Sequence, residues 1–430
     1  MMSKPEAVIN VRQIIETGGV VTYFQPILSA RQRSVVGAEA LSRGFIGVEA
    51  LSRHDPVAIA ADEPGDSERL ISPGKLFAMA EAEGLTLELD RLCRETAVRT
   101  FAAMPKHEEL ILFMNFDSKA MELDTHALSH LLGLLVEHGL NARNVAIEIL
   151  ESAFDDTTRL QMLMDSFRRE GFLIVLDDVG TGYSNLDRVP LIKPDILKLD
   201  RSLIVGIDSD YHSQETFKSL VQLTRRIGAL VVAEGVETHQ QAITALELGA
   251  DLLQGFFLGR PEKPGTLANA DASARIDALA RRYKAYMIER INHRKLQHRR
   301  FNIILNEILC ELSRASVDDF DDVLQTIVPQ YEKVECVYVM DEAGTQVSST
   351  VCNHRVPQRS KGVMFRPAPK GADHSLKEYY YVLLDVELNK YTTDPYVSLA
   401  TGNLCRTIST CFRDARNNKL YILCIDVLCE

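Results

Sequence analysis

Between residues 20 and 262, short apolar runs of strand type alternate with stretches of helical period, and this alternation restricts the fold more than any other feature. The strand-type runs are VVTYFQPIL (20–28), SVVGAEALS (34–42), ELILFMNFD (109–117), VAIEILES (145–152), LIVLDDVG (173–180), DILKLDR (195–201), LVVAEGVE (230–237) and LLQGFFLG (252–259). Between them lie amphipathic segments with their own punctuation. Ser72-Pro73 opens a helix through Glu83, which Gly84 stops, and Gly139 ends another. Strands separated by helices build a parallel α/β sheet. Eight such units in about 250 residues fit a closed (β/α) barrel better than an open doubly wound sheet, and no GxGxxG opens the first helix.

A strand buried on both faces should read as uninterrupted apolar sequence. These runs do not. Glu39, Asn115, Glu148, the adjacent Asp177 and Asp178, Lys198, Glu234 and Gln254 sit on or at the ends of different strands. A buried charge without a partner is costly, so convergence of these groups on cations is the economical explanation. Oxygen ligands of this kind suit hard divalent ions, and a Lys among them suits an anionic substrate.

The same segments resemble the EAL domain family, cyclic di-GMP phosphodiesterases built on a modified (β/α) barrel whose first strand runs antiparallel. The matching stretches are YFQPI (23–27), GAEALSR (37–43), MNF (114–116), EILES (148–152), LDDVGTGYSNL (176–186), LKLDRSL (197–203), VVAEGVET (231–238) and QGFFLGRP (254–261), in family order. The resemblance implies hydrolysis of cyclic di-GMP to linear pGpG with two Mg²⁺ or Mn²⁺ ions. Glu39, Asn115, Glu148 and Asp177 would bind one ion, with Asp177 bridging to a second that Asp178 also holds. Lys198 would hold the attacking water and Glu234 would order the water and metal shell. Gln25, Arg43 and Gln254 would contact the dinucleotide, Arg43 at a phosphate. A homodimer through the segment from Asp178 to Leu186 would also follow. All the implied ligands are present, which favours catalysis, whereas Val179, where the family usually has Phe, and the insertion after Arg43 keep a catalytically weak or inactive cyclic di-GMP receptor as the alternative.

The EAL-type motif occurs twice, GAEALSR at 37–43 and GVEALSR at 47–53. The family places its glutamate fourteen residues beyond the Gln of QPI, and Gln25 to Glu39 meets that spacing, so Glu49 is expected to serve no ligand role.

These features place a barrel domain at 1–265. Residues 266–316 then form a basic, Gly- and Pro-free helical linker. From 317 to 430 the pattern turns to β with short connections, resembling PAS-like and Cache sensor folds and implying an unidentified small ligand. In this part KEYYYVLLDVE, PYVSLATGNLCRTISTCF and NKLYILCIDVL are expected as strands, and VECVYVMDEAGTQVSSTV as a hairpin. Seven of the eight cysteines, Cys310 of the linker included, lie in the C-terminal third of the chain without a CxxC, so reduced thiols are expected. A net charge of −12 argues against duplex nucleic acid as a partner. With no run long enough to span a membrane and no signal-peptide pattern at the start, a cytoplasmic chain is expected.

Overall fold

The computed structural model describes residues 10–45, 70–117, 120, 124, 126–150, 157–181, 186–264, 270–357, 364–384 and 388–429. The second motif copy with Glu49, the acidic stretch after it and Asn185 lie outside the described residues. The chain divides into two compact units, Met1–Ile288 and Glu289–Glu430.

In the first unit the strands are β1 (Val20–Ser29), β2 (Ser34–Phe45), β3 (Leu70–Ile71), β4 (Ile111–Phe116), β5 (Val145–Leu150), β6 (Leu173–Val179), β7 (Ile196–Leu199), β8 (Leu230–Ala233) and β9 (Leu252–Leu253). From β2 through β4 to β9 each neighbour is parallel. β1 closes the ring antiparallel to both β2 and β9, while β3 only extends the edge of β2. Eight strands thus close a barrel with its first strand reversed, the expected architecture.

The surrounding helices include α1 (Val11–Thr17), α2 (Pro73–Glu83), α3 (Thr86–Ala102), α4 (Ala127–Glu137), α5 (Thr157–Glu170), α6 (Tyr211–Arg226) and α7 (His239–Leu248). Ser72 precedes α2 as its cap residue and Gly84 ends it in the left-handed region, as the sequence predicts. Helix α7 begins in a capping box, with Thr238 and Gln241 satisfying each other's backbone N–H groups.

Alternation along the strands separates two shells. Outward residues such as Met114, Ile147, Leu176 and Leu197 join the helices in the main core. Inward residues Ile27, Phe113, Ala146, Val175, Ile196, Val232 and Leu252 form a second cluster that plugs the barrel. Gly37 belongs to this floor, because a Cβ there would lie 2.6 Å from the Phe113 ring. One pleat further along each strand come the polar residues of the site.

In the second unit, β10 (Val334–Asp341), β11 (Val351–Cys352), β12 (Lys390–Thr392), β13 (Tyr396–Val397), β14 (Leu404–Arg413) and β15 (Leu420–Leu428) form an antiparallel sheet ordered β11-β10-β15-β14-β12, with β13 also on β14. The helix α8 (Ala270–Arg314) contributes Leu305, Ile308 and Leu312 to this unit, and α9 (Phe320–Ile327) adds Phe320 and Leu324. Both pack on Val337, Val339, Leu423 and Ile425.

Two expectations are corrected here. KEYYYVLL is not a strand: α10 (Glu378–Leu384) occupies it. Tyr379 and Leu383, four apart, are buried while Tyr381 between them is exposed, so helical burial overrides the β preference of three tyrosines. Nor are all the thiols free, because Cys336 and Cys352, opposite one another in β10 and β11, are joined as a disulfide.

Candidate active site

The polar layer above the barrel floor is generated by the strand repeat itself. Two residues beyond Gly37, Phe113, Ala146, Val175, Ile196, Val232 and Leu252 come Glu39, Asn115, Glu148, Asp177, Lys198, Glu234 and Gln254. On the reversed β1 the corresponding residue lies two before Ile27, and it is Gln25, directly opposite Glu39. Asn115 and Glu148 are likewise register partners. Eight strands each deliver one polar side chain to the same level.

Lys198 stands at the centre and is 1 % exposed. Its Nζ lies 2.6 Å from Glu234 Oε1, 2.8 Å from Glu148 Oε1, 3.1 Å from Glu39 Oε2 and 3.4 Å from Asp177 Oδ1. Amides complete the shell. Asn115 Nδ2 donates to Glu39 Oε1 at 3.0 Å, and Gln254 Nε2 donates to Glu39 Oε2 at 2.6 Å and Gln25 Oε1 at 3.3 Å. Gln25 Nε2 in turn donates to the Gly259 carbonyl at 3.1 Å, tying the layer to the last motif.

Asp178 follows where β6 departs from regular register, with φ +55°. Its backbone N–H donates to Asp177 Oδ1 at 2.9 Å. Asp177, Asp178 and Glu234 each present an oxygen within 4.8 Å of the others. The neighbouring Val179 is buried in the barrel wall against Leu199.

The charges do not balance. Burial would raise the Glu39 carboxyl, yet Lys198 and the two amides hold it below its usual range. Burial and then the Glu39 charge push Glu148 well above normal. Burial raises Asp177 to about 6 and Glu234 to about 8, with neighbouring carboxylates adding to the effect against Lys198. Asp178 is raised by burial and by Asp200. Burial would depress the Lys198 ammonium, but Asp177, Glu148, Glu234 and Glu39 lift it well above its ordinary value.

Five carboxyl groups therefore share one ammonium. Glu148 Oε2 is buried without a hydrogen-bond partner among the described residues, and Oε1 has the Lys198 ammonium beside it. No thiol or imidazole lines this cavity of about 320 Å³ among the described residues. Such a donor set fits hard divalent cations, which would supply the missing positive charge.

Arg43 lies apart from this cluster. Its guanidinium sits 5.8 Å from the Tyr23 ring and donates to the Ser42 carbonyl at 3.0 Å. Three lining residues were not singled out from sequence. Arg201 and Glu237 form an ion pair of 2.9 Å at the cavity, and Phe256 lines it while 49 % exposed, with Arg260 4.4 Å above its ring. Arg201, Glu237 and Phe256 lie within the quoted motifs but beyond the ends of β7, β8 and β9, where strand alternation no longer marks which side chain faces the barrel mouth.

A family model for the EAL domain matches residues 9–261. The chain belongs to the EAL domain family. The uncharacterized EAL-domain containing protein YkuI of Bacillus subtilis is 27 % identical over 409 residues, 91 % of each chain. The crystal structure of YkuI, in complex with substrate c-di-GMP and calcium, superposes with a TM-score of 0.78 over 98 % of this chain and all of that one. At 22 % identity in that superposition, the likeness shows a shared fold. The cyclic di-GMP phosphodiesterase NbdA of Pseudomonas aeruginosa is 29 % identical over 279 residues, 63 % of this chain and 32 % of NbdA. The chain thus spans most of YkuI but about a third of NbdA. No helix among the described residues is long and apolar enough to cross a membrane.

Proposed function

We propose that the EAL domain is a metal-dependent phosphodiesterase that opens cyclic di-GMP to linear pGpG. The observation that carries this reading is the complete polar layer, in which every strand of the barrel contributes a ligand-type or proton-handling side chain around Lys198. The activity of relatives such as NbdA supports the choice of substrate.

In this reading Glu39, Asn115, Glu148 and Asp177 hold one Mg²⁺ or Mn²⁺, and Asp177 and Asp178 hold a second. When bound, the cations supply the positive charge that an in-line displacement at phosphorus needs on its attacking and leaving oxygens. Lys198, locked by four carboxylates, donates a hydrogen bond that positions the attacking water. Glu234, 2.6 Å from the Lys198 ammonium, orders the water and the metal shell. Gln25 and Gln254 hold the dinucleotide near Glu39, and Arg43 takes a phosphate at the rim. The apolar floor under the layer excludes bulk water from below.

A homodimer through the segment after Asp178, and regulation by the second unit, complete the proposal. The second unit supports a sensing role through its separate core and the tyrosine-rich opposite face of its sheet, where Tyr338, Tyr379 and Cys424 pack together. The deciding experiment is turnover of cyclic di-GMP by the full chain with Mg²⁺ or Mn²⁺, read by chromatography. Wild type and Glu49→Ala should yield pGpG, and Glu39→Ala should yield none. Binding without product in the wild type would refute the phosphodiesterase and leave a receptor. Equal loss at both glutamates would overturn the ligand assignment.

A further inference from the structure

A second cavity of the barrel unit, about 330 Å³, lies between the ends of β2 and β4 and the helices α2 and α3. Leu41 lines both this cavity and the catalytic one, and Asn115, which donates to Glu39, lines it too. The two spaces therefore adjoin at the ends of β2 and β4. Most of the lining is apolar, from Pro73 and Phe77 of α2 to Met114 and Phe116 of β4. Into it comes Arg94 of α3, only 2 % exposed. Its Nη2 lies 2.6 Å from Asp90 Oδ2 and 3.6 Å from Asp124 Oδ2, and its guanidinium stands 4.7 Å from the centre of the Phe116 ring. The charge of Arg94 is thus met. Its hydrogen bonds are not, because Nε and Nη1 are buried with no acceptor among the described residues. A buried N–H without an acceptor is costly, and two on one side chain at a cavity point to a ligand that accepts from them.

We propose that Arg94 is a specificity-determining residue that donates to one guanine of the dinucleotide, an inference that rests on the substrate class proposed above. A cyclic dinucleotide carries its bases outward from the phosphodiester ring. A ring seated at the catalytic layer sends one base past Leu41 into the adjoining space. The apolar walls and the volume suit a planar heterocycle held by a few polar groups. Guanine presents O6 and N7 as acceptors, and Arg is the side chain that most often reads them. Adenine has an amino donor in place of O6, and an arginine has no acceptor to offer it. A buried N–H of Arg94 would then stay unmet, which is how a polar site rejects the wrong ligand. The donors are fixed in advance, since the guanidinium is held against Phe116 and by Asp90, whose Oδ1 accepts from Asp117 N–H at 3.4 Å.

The test is calorimetry of cyclic di-GMP and cyclic di-AMP binding to the full-length protein in Ca²⁺, with pGpG formation followed in Mg²⁺ or Mn²⁺. The wild type should prefer cyclic di-GMP by at least about tenfold. Arg94→Met should weaken cyclic di-GMP binding at least about tenfold, bring it towards that of cyclic di-AMP, and raise KM more than it lowers kcat. Because the single variant leaves Asp90 buried without its cation, Asp90→Asn/Arg94→Met removes the pair together and should show the same loss of discrimination. Circular dichroism melts check the fold of both, and their Mn²⁺ affinity should match the wild type, which separates base recognition from a disturbance of Asn115. Undiminished discrimination in either folded variant, equal loss for both dinucleotides, or a fall in Mn²⁺ affinity that accounts for the loss would overturn the proposal, as would a wild type with no preference for guanine. The expected binding pattern without any pGpG from the wild type would refute the phosphodiesterase alone and leave the role of Arg94 standing.

Discussion

Replacing Lys198 with Met keeps the aliphatic stem and removes the ammonium that faces four carboxylates at 2.6 to 3.4 Å. Removing one partner of a buried ion pair costs about 3–5 kcal/mol. Here the loss is shared, because Glu148 and Glu234 already favour the protonated form and need the cation least. Glu39, held below its usual range largely by Lys198, loses most. A cost of about 3 kcal/mol in a barrel of this size lowers the melting temperature by roughly 10 °C. A divalent cation restores the missing charge, and a ligand at one hundred times its Kd stabilises by about 2.7 kcal/mol. The variant has one fewer positive charge competing for the carboxylates, so Mg²⁺ or Mn²⁺ should raise its melting temperature more than that of the wild type. The assay is scanning calorimetry of both proteins in EDTA and in 10 mM-scale metal, with pGpG formation measured alongside and expected to vanish in the variant. The deficit in EDTA should shrink as the pH falls, since protonated carboxyls need no ammonium. An unchanged melting temperature in EDTA, or a smaller metal response than in the wild type, would refute this account of the site.

Gly255→Ala introduces a Cβ 2.2 Å from both the N and O of Val236, at φ +155°, and should cost about 3 kcal/mol while displacing Gln254 from Glu39. Thermal melts and KM for cyclic di-GMP check this, and a wild-type melting temperature would contradict it. In the second unit, burial raises Asp426 to about 6 although Thr407 and Tyr396 donate to its Oδ1. The folded state then keeps a proton that the unfolded chain releases above about pH 4, so stability falls between about pH 4 and 6 and stays reduced above. Two pKa steps correspond to about 3 kcal/mol. Asp426→Asn, which retains the acceptor, should raise the melting temperature at pH 7–8 and flatten that slope. Lower stability at pH 8 would rule the explanation out.

The barrel was legible because its function and fold share one period. Each strand reads apolar at the floor and polar two residues later, so Val175 and Asp177, or Ile196 and Lys198, mark both the strand and the site. Even β9, only Leu252 and Leu253 long, is marked by Gln254 immediately after it. Where that coupling ends, so does legibility. Arg201, Glu237 and Phe256 reach the cavity from segments beyond the strand ends, and their position depends on loop geometry that no repeat encodes. The tyrosines of α10 carry β preference, and only the packing of Tyr379 and Leu383 under the sheet reveals a helix. Cys336 and Cys352 become neighbours through the register of β10 and β11, sixteen residues apart in sequence.

The polar layer also explains how so much buried charge is compatible with a stable fold. Its residues project from strands whose outward neighbours, such as Ile147, Leu176 and Leu197, lie in the large helix-packed core. The apolar floor locks the same strands from within, down to a glycine at position 37 that leaves room for Phe113. Side chains held on this frame cannot spread apart to relieve their repulsion, because moving one strand disrupts two shells of packing. The electrostatic strain is therefore fixed in place at Lys198, and protons or metal ions must relieve it. Metal affinity in this barrel should accordingly fall as the pH drops, since Glu148 and Glu234 hold protons that a cation must displace. Calorimetry of Mn²⁺ binding in buffers of different ionisation enthalpy would show the released protons, and binding without proton release at pH 7 would contradict the raised carboxyls.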